Sequence, residues 1–339
     1  MVDFSILDQT PVRAGGTPAQ AIDETIRLAQ TAETLGYNRY WLAEHHGTDG
    51  FAGSSPEIMV TRVAAATNRI RVGSGGVMLS HYSPLKVAEN FALLENMFPN
   101  RIDLGIGRAP GSDGITAAAL AYGNQMGIEY FPTKIADMTA FLVGKPPVSE
   151  PFKNVRATPL PPSLPEVWLL GSSDQSAAYA AHFGLAYSFA HFISPYGSEA
   201  VIDQYRKNFR PSPVMKEPRV NLGVFVICAD TMEEAEYLAT SRDYWRLKLG
   251  QGQHLPYISP NEALNYPYTQ QELSLIEQSK ANRFVGDPNY VKGQLEELAA
   301  RHSADELVIL TITYDFASRL HSYELISKAF GLQGREIAV

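Results

Sequence analysis

Short apolar runs separated by amphipathic stretches recur from one end of this chain to the other. Runs at Phe4–Leu7, Arg39–Ala43, Ile70–Val77, Ile102–Ile106, Val167–Leu170, Ala186–Phe189, Asn221–Cys228 and Leu307–Thr313 read as strands. Most are apolar at both alternating positions, the pattern of parallel strands covered on both faces. Eight such strands, each followed by helical sequence, predict an α/β fold of the (β/α)8 TIM-barrel type. Thr17-Pro18-Ala19-Gln20 combines an N-cap, a proline at the first helical position and a glutamine able to close a capping box, and Gly36 is a natural stop. Ser55-Pro56 and Ser83-Pro84 repeat the start signal, although each pair also fits an ordinary turn.

Two connections are longer than a barrel needs: 107–166, with its proline-rich KPPVSEPFKNVRATPLPPSLP, and 229–306, with GQGQHLPYISPNEALNYPYTQ. Both are expected as insertions, after strands four and seven, without regular period. Residues 250–280 are the candidate lid. No repeat or linker divides the chain, so a single domain spanning 1–339 is expected.

Composition narrows the function classes. A 45% hydrophobic content supplies a core and excludes global disorder. The net charge of −8 and the lack of a basic run argue against nucleic acid and against an anionic membrane surface. The lone Cys228 excludes an internal disulfide and reads as a buried, inert thiol. The N-terminal MVDFSILDQTP lacks a signal-peptide pattern, and no apolar run approaches the ~20 residues of a membrane span. A soluble, cytoplasmic protein is the expectation.

Candidate chemistry follows from reading the residues just after each strand, where barrels of this type place their sites. Glu44, His45 and His46 follow strand two. Adjacent histidines on extended chain point to opposite faces, and no H-x-H or H-E-x-x-H occurs, so no metal is expected. One histidine, His45, is assigned to the cavity, and His46 to a helix or a neighbouring subunit. After strand three, Ser74-Gly75-Gly76 allows a bulge, an unusual peptide geometry or close approach of a flat ligand, or else serves barrel packing. After strand four, Arg108 can bind phosphate in bidentate fashion or form a surface ion pair. After strand five, Gly171-Ser172-Ser173 leads into a helix start with Asp174, Gln175 and Ser176, an anion site or a plain N-cap. Arg108 and this helix start lie on neighbouring strands and together describe one phosphate pocket. Dinucleotide, Walker A and nucleophile-elbow patterns are missing.

GYNRYWLAEHH, RVGSGGVMLSHYSPLKVAENFALLENMFPNRIDLGIGRAPGSD, VWLLGSSDQSAAYAA, RFVGDP and DFASRLHSYEL occur in this order over nearly the whole chain. Together they resemble the bacterial luciferase-like flavin monooxygenase family. They are closest to its bacterial subgroup with WLAEHH, SGGVML and GRAPGSD motifs, and less close to the light-emitting luciferases. The resemblance implies a barrel binding reduced FMN, which reacts with O₂. It implies that His45 is the active-site histidine, acting near neutral pH, and that Gly75 and Gly76 lie under the flavin ring, where luciferases have a non-prolyl cis peptide. Arg108, Ser172, Gln175 and Ser176 would bind the phosphate. Gly107 stands where luciferase α subunits carry a reactive cysteine, so chemistry needing that thiol is excluded. The function expected is an FMNH₂-dependent, O₂-using monooxygenase of a small organic substrate. A separate NAD(P)H:flavin reductase would supply the reduced flavin. The alternatives are an F420-dependent oxidoreductase and a non-catalytic flavin-binding protein. Family members pack across a twofold axis, which implies a homodimer with His46 and Glu89 at or near the contact.

Overall fold

The computed structural model describes residues 2–109, 111–122 and 128–332. Pro110 of the GRAPGSD motif and both ends of the expected 1–339 domain lie outside the described residues. The strands are β1 (Asp3–Asp8), β2 (Arg39–Leu42), β3 (Arg71–Met78), β4 (Ile102–Gly107), β5 (Glu166–Gly171), β6 (Ala186–Ala190), β7 (Val220–Cys228), β8 (Arg283–Gly286) and β9 (Glu306–Leu310). Parallel pairing runs in order from β1 to β7, then β7 to β9 and β9 back to β1, closing an eight-stranded barrel. The eight runs read from the sequence are these eight strands. The short β8, RFVG, was not foreseen; it pairs only with Phe225–Cys228, where β7 outruns the barrel.

The helices are α1 (Pro18–Leu35), α2 (Pro56–Ala64), α3 (Pro84–Met97), α4 (Gly114–Leu120), α5 (Phe131–Leu142), α6 (Asp174–Phe183), α7 (Ser198–Asn208), α8 (Met232–Gly250), α9 (Pro260–Leu264), α10 (Gln270–Ser279), α11 (Pro288–His302) and α12 (Phe316–Phe330). At α1 the Thr17–Gln20 capping box forms as read, and Gly36 ends the helix in the left-handed conformation. The second insertion departs from expectation, because most of it is helix. α8 buries residues around much of its circumference, charged ones included, so no apolar stripe marks it in sequence. Within residues 250–280, α9 and α10 each open on a capping box, Ser259 with Glu262 and Thr269 with Glu272. Those S/T-x-x-E patterns were legible signals.

Strand alternation explains why both positions are apolar. Phe4 and Ile6 join Tyr40, Leu104 and Ile309 in the shell between barrel and helices. Leu7 turns inward with Trp41, Trp168, Phe225, Val308 and Leu310. At the N-terminal end the barrel interior is ionic. Arg39 donates to Glu306 at 2.9 Å, Asp103 at 2.8 Å and Glu166 at 2.9 Å. Arg71 and Trp41 also donate to Asp103, at 2.6 and 2.8 Å. Burial alone would raise the Asp103 pKa, but Arg39 and Arg71 hold it below the usual value.

Removing one partner of such a cluster strands the others without water. Arg39→Met is therefore expected to cost about 3–5 kcal/mol, read from the shift in urea unfolding. Lys153→Met, whose ion pair with Glu150 is exposed, should cost no more than about 1 kcal/mol in the same assay.

Candidate functional site

At the C-terminal mouth, the chain leaving β2 keeps its strand alternation. Ala43 packs inside the barrel and Glu44 turns outward and is buried. Glu44 accepts hydrogen bonds from the Met78 N–H at 2.9 Å, Tyr82 Oη at 2.5 Å and His46 Nε2 at 2.8 Å. This carboxylate ties the end of β2 to the end of β3. It also captures His46, whose side chain is only 12% exposed. The expectation that His46 faces away from the cavity is corrected, since His46 lines the mouth cavity beside His45.

His45 does reach the cavity. Its ring packs on Phe51 with centroids 4.5 Å apart, and its buried Nδ1 has no hydrogen-bond partner among the described residues. Burial, reinforced by His46, pushes its pKa down to about 4. His45 is therefore neutral at pH 7 in this state.

The peptide between Gly75 and Gly76 is cis. A Cβ on Gly75 would lie 2.6 Å from Leu7 Cδ1, and one on Gly76 would lie 2.7 Å from the Gly105 carbonyl oxygen. Backbone packing requires the glycine at 76, whereas a side chain at 75 would have to displace Leu7, and the register between β3 and β4 shifts between Ser74 and Val77. On the neighbouring strand, a Cβ on Gly107 would meet no atom within 4 Å, so the end of β4 faces open space.

Arg108 follows directly, and its Nη1 donates to Gln175 Oε1 in the first turn of α6. The two elements read as one pocket are in contact. The serines divide between two tasks. Ser173 is the N-cap of α6 and Ser176 closes its capping box. The buried Ser176 hydroxyl donates to the Ser173 carbonyl at 2.7 Å and lies 2.9 Å from Tyr187 Oη. It is committed to the helix cap, whereas Ser172, half-buried, stands outside that cap. No cluster of three metal-ligating side chains occurs among the described residues. Cys228 is buried in β7, and burial raises its pKa to about 12.

A cavity of about 320 Å³ opens over His45. Phe51, Phe192, Phe225 and Ile312 form much of its wall, and α8 adds Arg242, Trp245 and Arg246. Tyr257 enters from residues 250–280 and stacks on Trp245, with centroids 5.0 Å apart. Its backbone bonds to Val12 and Ala14 hold that segment against the β1 side of the mouth. Reading only the residues just after strands missed α8, although its R-x-x-W-R spacing places three large side chains on one face.

The family model for luciferase-like monooxygenases matches residues 2–305. The chain belongs to the luciferase-like monooxygenase family. It is thereby an enzyme of the flavin-dependent monooxygenase type. The N-acetyl-S-alkylcysteine monooxygenase of Bacillus subtilis (strain 168) is 36% identical over 97% of this chain and 98% of its own. A relative in Escherichia coli (strain K12), itself a luciferase-like monooxygenase, is 36% identical over 96% of each chain. The crystal structure of apo-MsnO8 is 38% identical, with a TM-score of 0.91, covering 99% of this chain and 100% of that one. More distant structures share the fold alone. They include an FMN complex of the oxygenating constituent of 3,6-diketocamphane monooxygenase, at 19% identity and TM-score 0.70. An F420-dependent secondary alcohol dehydrogenase stands at 13% and 0.70. No helix among the described residues is long and apolar enough to cross a membrane.

The depressed His45 pKa has a consequence for stability. As pH falls, unfolded His45 takes up its proton near the ordinary 6.5 and native His45 only near 4, so stability is lost across that window. His191, likewise pushed down to about 4 by burial and by His302, adds a term of the same sign. In the double variant His45→Asn/His191→Asn, the urea midpoint should fall less steeply between pH 6.5 and 4. An unchanged slope would mean that native His45 is not held neutral.

Proposed function

We propose that this enzyme is an FMNH₂-dependent monooxygenase that uses O₂ on a small organic substrate. The observation that carries the reading is the contact of Arg108 with Gln175 at the start of α6, beside the open space at Gly107. A guanidinium at a helix N-terminus suits a dianionic phosphate. The glycine-lined end of β3 and the open end of β4 suit a flat ring system. The unpartnered His45 Nδ1 suits a hydrogen-bonding ligand. The residues present fit FMN on these three grounds.

When bound, FMNH₂ supplies two electrons for the reduction of O₂, one oxygen atom entering the substrate and the other leaving as water. Arg108, Gln175 and the Ser172 turn would hold the phosphate, with Ser176 stiffening the helix start behind them. Gly75 and Gly76 would let the ring approach the sheet. A neutral His45 donates or accepts one hydrogen bond at the reacting atoms without adding charge. Residues 250–280 act as the lid, keeping water from the cavity through the Trp245–Tyr257 stack.

A separate NAD(P)H:flavin reductase supplies the reduced flavin in the cytoplasm, since the chain has no second nucleotide fingerprint. The enzyme works as a homodimer. Ile58, Leu93 and Met97 are 68%, 48% and 46% exposed on α2 and α3, an apolar face available to a twofold partner. Glu89 on α3 accepts from the Thr158 N–H of its own chain at 3.2 Å and would sit beside that face. His46, pinned to Glu44, is no longer assigned to the contact.

Arg108→Ala should weaken FMN about tenfold or more and riboflavin hardly at all, measured by flavin fluorescence titration. Equal weakening would remove Arg108 from the phosphate. Tight F420 binding with no binding of FMN would replace the flavin assignment by the deazaflavin one. Purified protein with FMN should leave NADPH unoxidised until a reductase is added; rapid reduction by the protein alone would overturn the two-component arrangement.

A further inference from the structure

The mouth cavity is electrostatically opposite to the chain that forms it. The protein carries 36 acidic and 28 basic side chains. The cavity lining includes Arg242, Arg246, His45, His46 and His254 and contains no Asp or Glu among the described residues. The remaining wall is mostly apolar and aromatic. Residues 242, 245 and 246 fall at i, i+3 and i+4 on α8, so one helix face delivers two guanidiniums and an indole to the same wall.

The two arginines are not equivalent. Arg242 is buried, donates to Asp243 at 3.0 Å and lies over the Phe225 ring, 4.6 Å from its centroid. Asp243 is also 3.5 Å from Arg283, whose second nitrogen reaches Glu236 at 2.6 Å. These two guanidiniums and two carboxylates balance one another. Arg246 is left over. It is half-buried, and no hydrogen bond or ion pair joins it to another described residue. Burial works against its charge, and Asp243 acts on it only at longer range. A partly desolvated guanidinium without a partner gains most from an incoming anion.

We propose that the cavity takes a small organic acid, its carboxylate on Arg246 and its apolar body against Phe51, Phe192, Phe225 and Trp245, in reach of His45. As a statement of substrate class, this rests on the monooxygenase reading; as a statement of binding, it stands apart from it. The anion is not the flavin phosphate. Arg108 and Gln175 do not line this cavity, and β4 is three strands away from β7, which leads into α8.

The test uses the full chain, without and with FMN, and two probes of nearly equal shape, 4-phenylbutyrate and 4-phenylbutyramide, by isothermal titration calorimetry. The acid should bind about tenfold or more tightly than the amide in both states. Arg246→Met should abolish that preference, and Arg246→Lys should restore part of it. Circular dichroism and flavin titration of Arg246→Met should match the parent, which separates a lost contact from a lost fold. Equal binding of acid and amide, or no binding of the acid at millimolar concentration, overturns the proposal. So does displacement of the acid by FMN, which would give Arg246 to the phosphate. Retained acid preference in a protein that binds no flavin would sink the monooxygenase reading and leave this cavity assignment in place.

Discussion

The Arg39 cluster is the constraint on which the rest of the barrel depends. One guanidinium, with its side chain 1% exposed, bridges carboxylates that come from β4, β5 and β9. It therefore connects four strands across the barrel interior, where a purely apolar filling would impose no particular pairing. Each charge is tolerable only because the others are within 3 Å. Arg39 also lies over Trp168, 5.0 Å from its ring, and Trp168 packs edge-on against Trp41. The ionic floor thus sets the indole layer above it, and the indole layer fills the barrel below the mouth.

That filling leaves the mouth to do chemistry. With Leu7 and Trp41 against Gly75 and the Gly105 backbone against Gly76, neither position has room for a side chain as packed, and the same absence of side chains leaves this part of β3 flat. Glu44 works from outside the barrel wall. It receives the Met78 amide, Tyr82 and His46, and so fixes the chain from which His45 projects inward. At this level Glu44 points outward to hold the scaffold, and His45 points inward to the cavity. The depressed His45 pKa is the electrostatic cost of that inward placement.

The two faces of the mouth are chemically different. Around β4 and α6, donors are concentrated at a helix start, with Arg108 and Gln175 already in contact. Around α8, arginines stand in an aromatic wall. One side suits a group of high, fixed charge at the edge, and the other an apolar body with one charged end. The barrel joins them by placing both at the C-terminal ends of its strands, three strands apart, and the contacts of α8 to Tyr257 cross back to the β1 side.

Much of this was legible because it depends on local rules. Strands buried on two faces must be apolar at both positions, and the eight runs show that. Caps need particular residues at particular spacings, which identified α1 and the start of α6 and would have identified α9 and α10. Arg108 and the α6 turn could be joined in advance because consecutive parallel strands are neighbours. What the chain alone left open depends on partners distant in sequence. Arg39 and Glu306 are 267 positions apart, and no local pattern reveals that their charges cancel inside a barrel. His46 shares the face of Glu44, two residues earlier, as alternation expects, but its ring still borders the mouth cavity, which alternation does not reveal. α8 hid its role because it is packed around much of its circumference, which removes the periodic stripe by which a helix announces its buried face. Local sequence determined the elements and their order; closure of the barrel decided which charges are neutralised and which, like Arg246, remain facing the cavity.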